Sequence, residues 1–405
     1  MTYQQMNRHI SKNAEDRRIG SAITAHFVFL TLQYLVLVSM QLEGTLAAER
    51  IQLISKLLVA MAYARALPIV WKRSKVRIIG TYFVWAFVFS LHYLVFPQNR
   101  MYQNELVFPF FFMCLPAFIY SSAVNDWTVL RDVMIKVGYI VFSIGALLAF
   151  LVFNGRVFIG SYSMSLGYYL LLPSIMFISE FWRTASFTYI MLFLISAFFI
   201  LALGSRGPIM CIGLFVLLCL LRRPRNPRHH EIIAFLCVAS SIVLAVLFFD
   251  KLLMGIQELL LRSGFRSRSI ALFLSSKGQL GIRETIYRDV IAAIADHPIL
   301  GIGIAGDRYI RGGSYVHNIF IEILANYGAV VGTLIVFGLL ILVLRYFVCS
   351  TRQQYEMFAM WLCIGFIPLL VSGSYFSYMS FWIFIGLITK GWHIGGNLRY
   401  QSRKE

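Results

Sequence analysis

Apolar residues run in long unbroken blocks along most of this chain, with short polar connections between them. The blocks lack the alternation of barrel strands and are long enough to cross a bilayer core, so each is read as a membrane-crossing α-helix. A window of about 19 residues places them near 21–41, 51–71, 77–97, 106–124, 133–153, 164–181, 185–203, 208–221, 232–250, 317–348, 356–373 and 376–392. The pattern predicts an all-α, polytopic membrane helix bundle of about twelve transmembrane helices. Its parts are a tail (1–20), nine spans (21–250), a hydrophilic loop (251–316), three spans (317–392) and a second tail (393–405). The run after His317 is long enough to hold a short entry turn before its membrane part.

One polar region has a pattern of its own. Within the long loop, Ile282, Ile286, Val290 and Ile294 recur at helical spacing, and Pro298, Gly301 and Gly303 end the run. An amphipathic helix is expected, lying on the membrane face or on the bundle, followed by a glycine-rich turn.

Composition agrees with lipid as the main solvent. Of 405 residues 59% are hydrophobic and 13% charged, against roughly 45–50% and 25% in soluble domains. The formal charge of +18 follows the connections. Lys72, Arg73, Lys75 and Arg77 share one side with Arg222, Arg223, Arg225 and Arg228, whereas 41–48 on the other side has no basic residue. The positive-inside rule then puts both tails in the cytoplasm and 251–316 outside. The charge is thus topological and does not point to nucleic acid. Residues 1–18 carry no signal-peptide core, so the first span is expected to be uncleaved. Six cysteines lie in or beside apolar runs with no CxxC pair, which argues against zinc and against a disulfide framework.

Three places on the outer face could carry chemistry. Ser205 and Arg206 sit in Gly204-Ser205-Arg206-Gly207-Pro208, a tight turn before a helix. A guanidinium there can bind phosphate oxygens, or it can simply snorkel at the interface. Arg283 opens the amphipathic helix, where it can bind an anion or pair with Glu284 or Asp289. His317 begins the run His317-Asn318-Ile319-Phe320-Ile321-Glu322, where an imidazole can move a proton near neutral pH or merely sit at the interface. Asn318 can cap the helix or bond a sugar hydroxyl. Glu322 is a rare acid inside an apolar run, able to orient a polar neighbour or face a wet cavity. The loop's other arginines, Arg308 and Arg311 among them, are read as solvating it, with phosphate or acidic sugars as the alternative. No acidic pair, DxD-like motif or Walker loop occurs on this face, so the chemistry is read as independent of metal and of any cofactor.

His317-Asn318, nine residues and Gly328 together resemble the signature of the O-antigen ligase and O-antigen polymerase superfamily. Arg283-Glu284 followed by His297-Pro298-Ile299-Leu300-Gly301-Ile302-Gly303 resembles the stretch that precedes it, and Gly204-Ser205-Arg206-Gly207 resembles the family's SRG turn. The likeness covers about 190–345 by motif and the N-terminal half by hydropathy alone. In one place the chain departs from the pattern: where the family has Gly, Thr or Tyr three residues after the motif glycine, here stands Val331, and Gly332 follows.

The resemblance implies a glycosyltransferase of the bacterial cytoplasmic membrane, working at its outer face on an undecaprenyl-diphosphate-linked glycan donor and a sugar-hydroxyl acceptor. It implies that Arg206 and Arg283 hold the diphosphate and that His317 is the base or orienting group, with Ser205, Asn318 and Glu322 in support. A flippase and a chain-length regulator are its expected partners. Polymerisation of repeat units is favoured; ligation to a lipid A core is the first alternative. A transporter of the same lipid-linked glycan is the second, and the near absence of intramembrane acids weighs against it.

Overall fold

The computed structural model describes residues 3–42, 44–154, 157, 164–202, 206–221, 249–262 and 280–401. Among these, all regular structure is helical. The elements are α1 (Tyr3–Ser39), α2 (Leu46–Val95), α3 (Arg100–Pro109), α4 (Leu115–Ala123), α5 (Trp127–Phe153), α6 (Met164–Tyr169), α7 (Leu171–Thr184) and α8 (Phe187–Ala202). They continue with α9 (Arg206–Leu221), α10 (Phe249–Arg262), α11 (Leu280–Asp296), α12 (Gly306–Ile310), α13 (Ile319–Cys349), α14 (Arg352–Trp361) and α15 (Met379–Gln401).

Five helical stretches among the described residues are long and apolar enough to cross a membrane: Ser11–Ser39, Leu46–Val95, Pro97–Ala123, Trp127–Val152 and Ile319–Cys349. Shorter apolar helices cover Phe187–Leu201, Gly207–Leu221 and Met379–Lys390. The 50 residues of α2 exceed one crossing, and the helix breaks at Ser74 (φ −147°, ψ 29°), inside the basic connection that separates the second and third predicted spans. The span predicted at 356–373 is not one α-helix: α14 gives way to a π-helical turn at Leu362–Phe366 and a 3-10 turn at Ile367–Leu370. Pro368 at the start of that turn lacks the N–H that would continue the α-helix. The span predicted at 232–250 lies almost wholly outside the described residues, as does 263–279 of the long loop.

The chain forms two compact units. The first comprises Met1–Ile19, Arg65–Trp127 and Gln279–Glu405; the second comprises Gly20–Ala64 and Thr128–Gly278. In the second, α7 packs on α8 and α9. Its buried Glu180 takes Arg131 at 2.9 Å and Arg183 at 2.7 Å.

In the first unit α15 lies against α4. A Cβ at Gly386 would strike the Ser121 hydroxyl and the Phe118 carbonyl, so the two helices are in backbone contact there. At one end of this pair Asp16 accepts hydrogen bonds from the Asn125 and Asp126 N–H groups at 3.1 and 3.0 Å and is ion-paired with Arg73. Arg73 also reaches Glu15 at 2.6 Å and the Ala123 carbonyl at 3.1 Å. Before the starts of both helices, Phe110 packs edge-on to Trp85 at 4.7 Å, stacks on Phe89 at 5.1 Å and meets Phe376 at 5.1 Å. These rings seat the connection before α15, which carries Ser374 and Tyr375.

Candidate functional site

Helix α13 is two helices in one run. Gly328 sits at φ 78°, ψ 173°, a setting that residues with a Cβ rarely adopt. In a straight helix the Ala325 carbonyl would accept the Ala329 N–H. Here both groups are satisfied from outside: Ile302 N–H donates to Ala325 O at 2.8 Å, and Ala329 N–H donates to Pro298 O at 2.7 Å. The glycine-rich turn is therefore plugged into the break in α13. Gly301 faces the same spot at φ 67°, where a Cβ would collide with the Ala325 carbonyl and the Gly328 backbone.

Past the break the helix passes close over its own first half. A Cβ at Gly332 would stand 2.9 Å from Leu324 Cα and 3.1 Å from Ile323 O. This close approach falls at Gly332, one place after Val331. The part after Gly328, 329–349, measures about 31 Å at 1.5 Å per residue, one bilayer core. The part before it is the short entry segment.

His317 and Asn318 begin that segment. Asn318 is the N-cap: its Oδ1 accepts from the Phe320 and Ile321 N–H groups at 3.0 and 3.3 Å, and its Nδ2 donates to the Leu370 carbonyl at 3.5 Å. Such a cap contributes about 1 kcal/mol. His317 is half-buried at φ 58°, with its ring 4.2 Å from that of Tyr315. The left-handed setting costs a non-glycine residue roughly 1–3 kcal/mol unless its surroundings hold it.

Glu322, one turn further on, is 2% exposed. It accepts the Ser374 hydroxyl and, at 3.3 Å, the Tyr375 N–H. Tyr375 OH accepts from Asn326 Nδ2 at 2.8 Å and lies 3.4 Å from Tyr327 OH. His92 joins from α2, its Nδ1 accepting the Ile304 N–H at 3.1 Å and its ring edge-on to Tyr327 at 5.6 Å. An acceptor Nδ1 puts the proton of the neutral ring on Nε2.

The predicted amphipathic helix is α11, and it packs on protein. Ile286, Val290 and Ile294 join one buried cluster with Ile302, Val316 and Ala325. The cluster links the first turns of α11, where Arg283 stands, to the residue before His317. For Arg283 and Arg206 the description covers the backbone only; Ser205 and Ile282's side chain lie outside it. Arg206 opens α9 in the second unit.

The solvated reading of the loop arginines is corrected at two positions. Arg311 pairs with Asp289 of α11 at 2.6 Å. Arg308, in α12, is 6% exposed and lies with its guanidinium carbon 5.9 Å from the Tyr315 ring centroid. Asp307 beside it is 1% exposed and accepts the Val316 N–H at 3.0 Å. Burial pushes the Asp307 carboxyl above its ordinary range, against the pull of Arg308 and of the backbone N–H groups. Spacing gave no hint of this pair, because α12 has five residues and shows no period. The one sequence signal was an acid next to a base directly after the glycine turn.

Residues 191–337 match the family model described as O-antigen ligase. No curated protein and no solved structure matches the chain. The matched segment runs from α8 into the second half of α13 and so takes in every residue singled out from the sequence.

Proposed function

We propose, from the match of residues 191–337 to the O-antigen ligase family model, that the protein belongs with the O-antigen ligases and polymerases and joins lipid-linked oligosaccharide repeats into a surface polysaccharide. The donor is an undecaprenyl-diphosphate-linked repeat and the acceptor a sugar hydroxyl of a second one. Transfer takes place at the outer face of the cytoplasmic membrane.

One observation carries the reading. The helix bearing Arg283 and the segment bearing His317 are joined through the cluster of Ile286, Val290, Ile294 and Val316, and His317 is held there in a left-handed setting. A cation-bearing element beside a fixed imidazole suits a reaction in which an anion leaves as a hydroxyl loses its proton. His317 takes the proton of the acceptor hydroxyl, or orients it. The acceptor oxygen bonds to the anomeric carbon while the bond from that carbon to the diphosphate oxygen breaks, with inversion. Arg283 stabilises the charge left on the diphosphate, and the family resemblance gives Arg206 the same role. Asn318 fixes the turn next to His317. Glu322 holds the Ser374–Tyr375 segment against the entry helix.

Polymerase is preferred to ligase because the sequence of the moderately sized outer loop shows no feature dedicated to lipid A. Purified protein given lipid-linked repeats alone should make chains longer than one repeat. Transfer seen only when core lipid is added sinks the polymerase reading in favour of the ligase. Transfer in neither case sinks both.

A further inference from the structure

An arginine that is 6% exposed has given up most of its water, and its neighbours must compensate. Two carboxylates act on Arg308 electrostatically: Asp307 beside it in α12 and Glu322 on the entry segment of α13. The third neighbour is Tyr315, whose ring lies at 5.9 Å from the guanidinium carbon, within cation–π range. Tyr315 in turn meets His317, 4.2 Å away between ring centroids. Asp307 reaches the same strip of chain through its bond to the Val316 N–H. Asp307 and Arg308 thus hold the two residues that lead into His317, and Asn318, which follows it, is anchored as the helix N-cap.

From this geometry we infer that Asp307 and Arg308 are positioning residues for His317: they clamp it in its left-handed setting and set a fixed positive charge against the Tyr315 ring that it meets. The inference rests on the reading of His317 as the group that accepts or orients a proton. A nearby cation opposes a second positive charge and so favours the neutral imidazole, the form able to accept a proton. The titratable and charged groups on the surrounding elements are Asp307, which burial pushes towards its neutral form, Glu322, Arg311 paired with Asp289 of α11, and Arg283 in the first turn of α11. A lysine could supply the charge, but a guanidinium also carries it on a planar group suited to an aromatic face.

The test uses the full chain with Arg308→Gln and Arg308→Lys, and two measurements. The first is the pH dependence of diethylpyrocarbonate modification of His317, followed by mass spectrometry of its peptide; it needs no activity. The midpoint is expected to rise by about half a pH unit or more in Arg308→Gln and to stay close to wild type in Arg308→Lys. The second is transfer kinetics. For Arg308→Gln, kcat is expected to fall about tenfold or more with donor KM within about twofold, and the acidic limb of the pH profile to move up with the midpoint. An unmoved midpoint overturns the inference. So does a raised donor KM with kcat unchanged, which would give Arg308 to the diphosphate instead. A shifted midpoint in a protein whose wild type transfers no glycan sinks the functional reading and leaves the clamp standing. If Arg308→Gln does not fold, Tyr315→Leu breaks the contact while leaving Arg308 with its carboxylates; it is expected to speed modification of His317, and an unchanged rate overturns the inference.

Discussion

Ile302 and Ala325 share a backbone hydrogen bond of 2.8 Å across a break in a helix, and the break exists because Gly328 leaves the Ala325 carbonyl open. The entry segment therefore has its direction set by a loop rather than by its own ladder. Gly328→Ala is expected to cost at least about 1–3 kcal/mol from backbone setting alone, and more because a Cβ would run into the Ile299 carbonyl. Gly328→Asn should do no better, since space is the obstacle there. Gly312→Asn is the control: that glycine is also left-handed, at φ 60°, but nothing lies within 4 Å of its would-be Cβ. Thermal unfolding in detergent should show Gly312→Asn close to wild type and both Gly328 variants well below it.

Glu322 faces two donors, Ser374 O–H and Tyr375 N–H. Glu322→Ala leaves both without that acceptor, at an expected cost of about 1–3 kcal/mol for each buried group. In Glu322→Gln the Oε1 can keep the Tyr375 N–H while the Ser374 hydroxyl turns to accept from the Nε2, so the loss should be smaller. Ser374→Ala in the Glu322→Ala chain removes one stranded donor and should restore part of the loss. A double-mutant cycle on unfolding midpoints measures this coupling; additive losses would contradict it.

Asp307 makes stability depend on pH in a stated direction. Its carboxyl lies above the ordinary carboxylate range in the folded protein because of burial. As pH rises from the ordinary value towards the raised one, the unfolded chain loses this proton and the folded chain keeps it. Stability should therefore be full below the ordinary value and fall as pH climbs through that window. Asp307→Asn should flatten that fall, read as unfolding temperature against pH.

The arginines and the histidine should fail differently. Arg283→Ala and Arg206→Ala are each expected to weaken handling of the donor by about 10–100-fold, the value of one charge-assisted hydrogen bond. His317→Ala should keep donor affinity and lose turnover. Donor binding and chain formation, measured on the same preparations, separate the two patterns. Equal loss of binding in all three would remove the distinct role of His317.

Much of this was legible as pattern. Long apolar runs gave α1, α2, α5 and the helix after His317, because lipid leaves a backbone little choice but helix. The helix of Ile286, Val290 and Ile294 was legible from its spacing, and the capping residue Asn318 from its place before an apolar run. Arg73 was legible only as a topological charge, yet it is bound to Glu15, Asp16 and Ala123. Burial of Arg308 and Asp307 was not legible, because it depends on how an aperiodic turn folds back on Tyr315 and Glu322. The π-helical and 3-10 turns after α14 were equally hidden, since hydropathy measures greasiness and not hydrogen-bond register.

The docking of the glycine turn into α13 bears on how such sequences can drift. Gly301 and Gly328 occupy the same small volume from opposite sides. A side chain can appear at one only if the backbone at the other withdraws, and withdrawal strands the Ala325 carbonyl and the Ala329 N–H without partners. In a set of homologues positions 301 and 328 should then change together or stay fixed together. The HPILGIG-like stretch and the histidine signature would be inherited as a single unit, although 27 positions separate their two glycines.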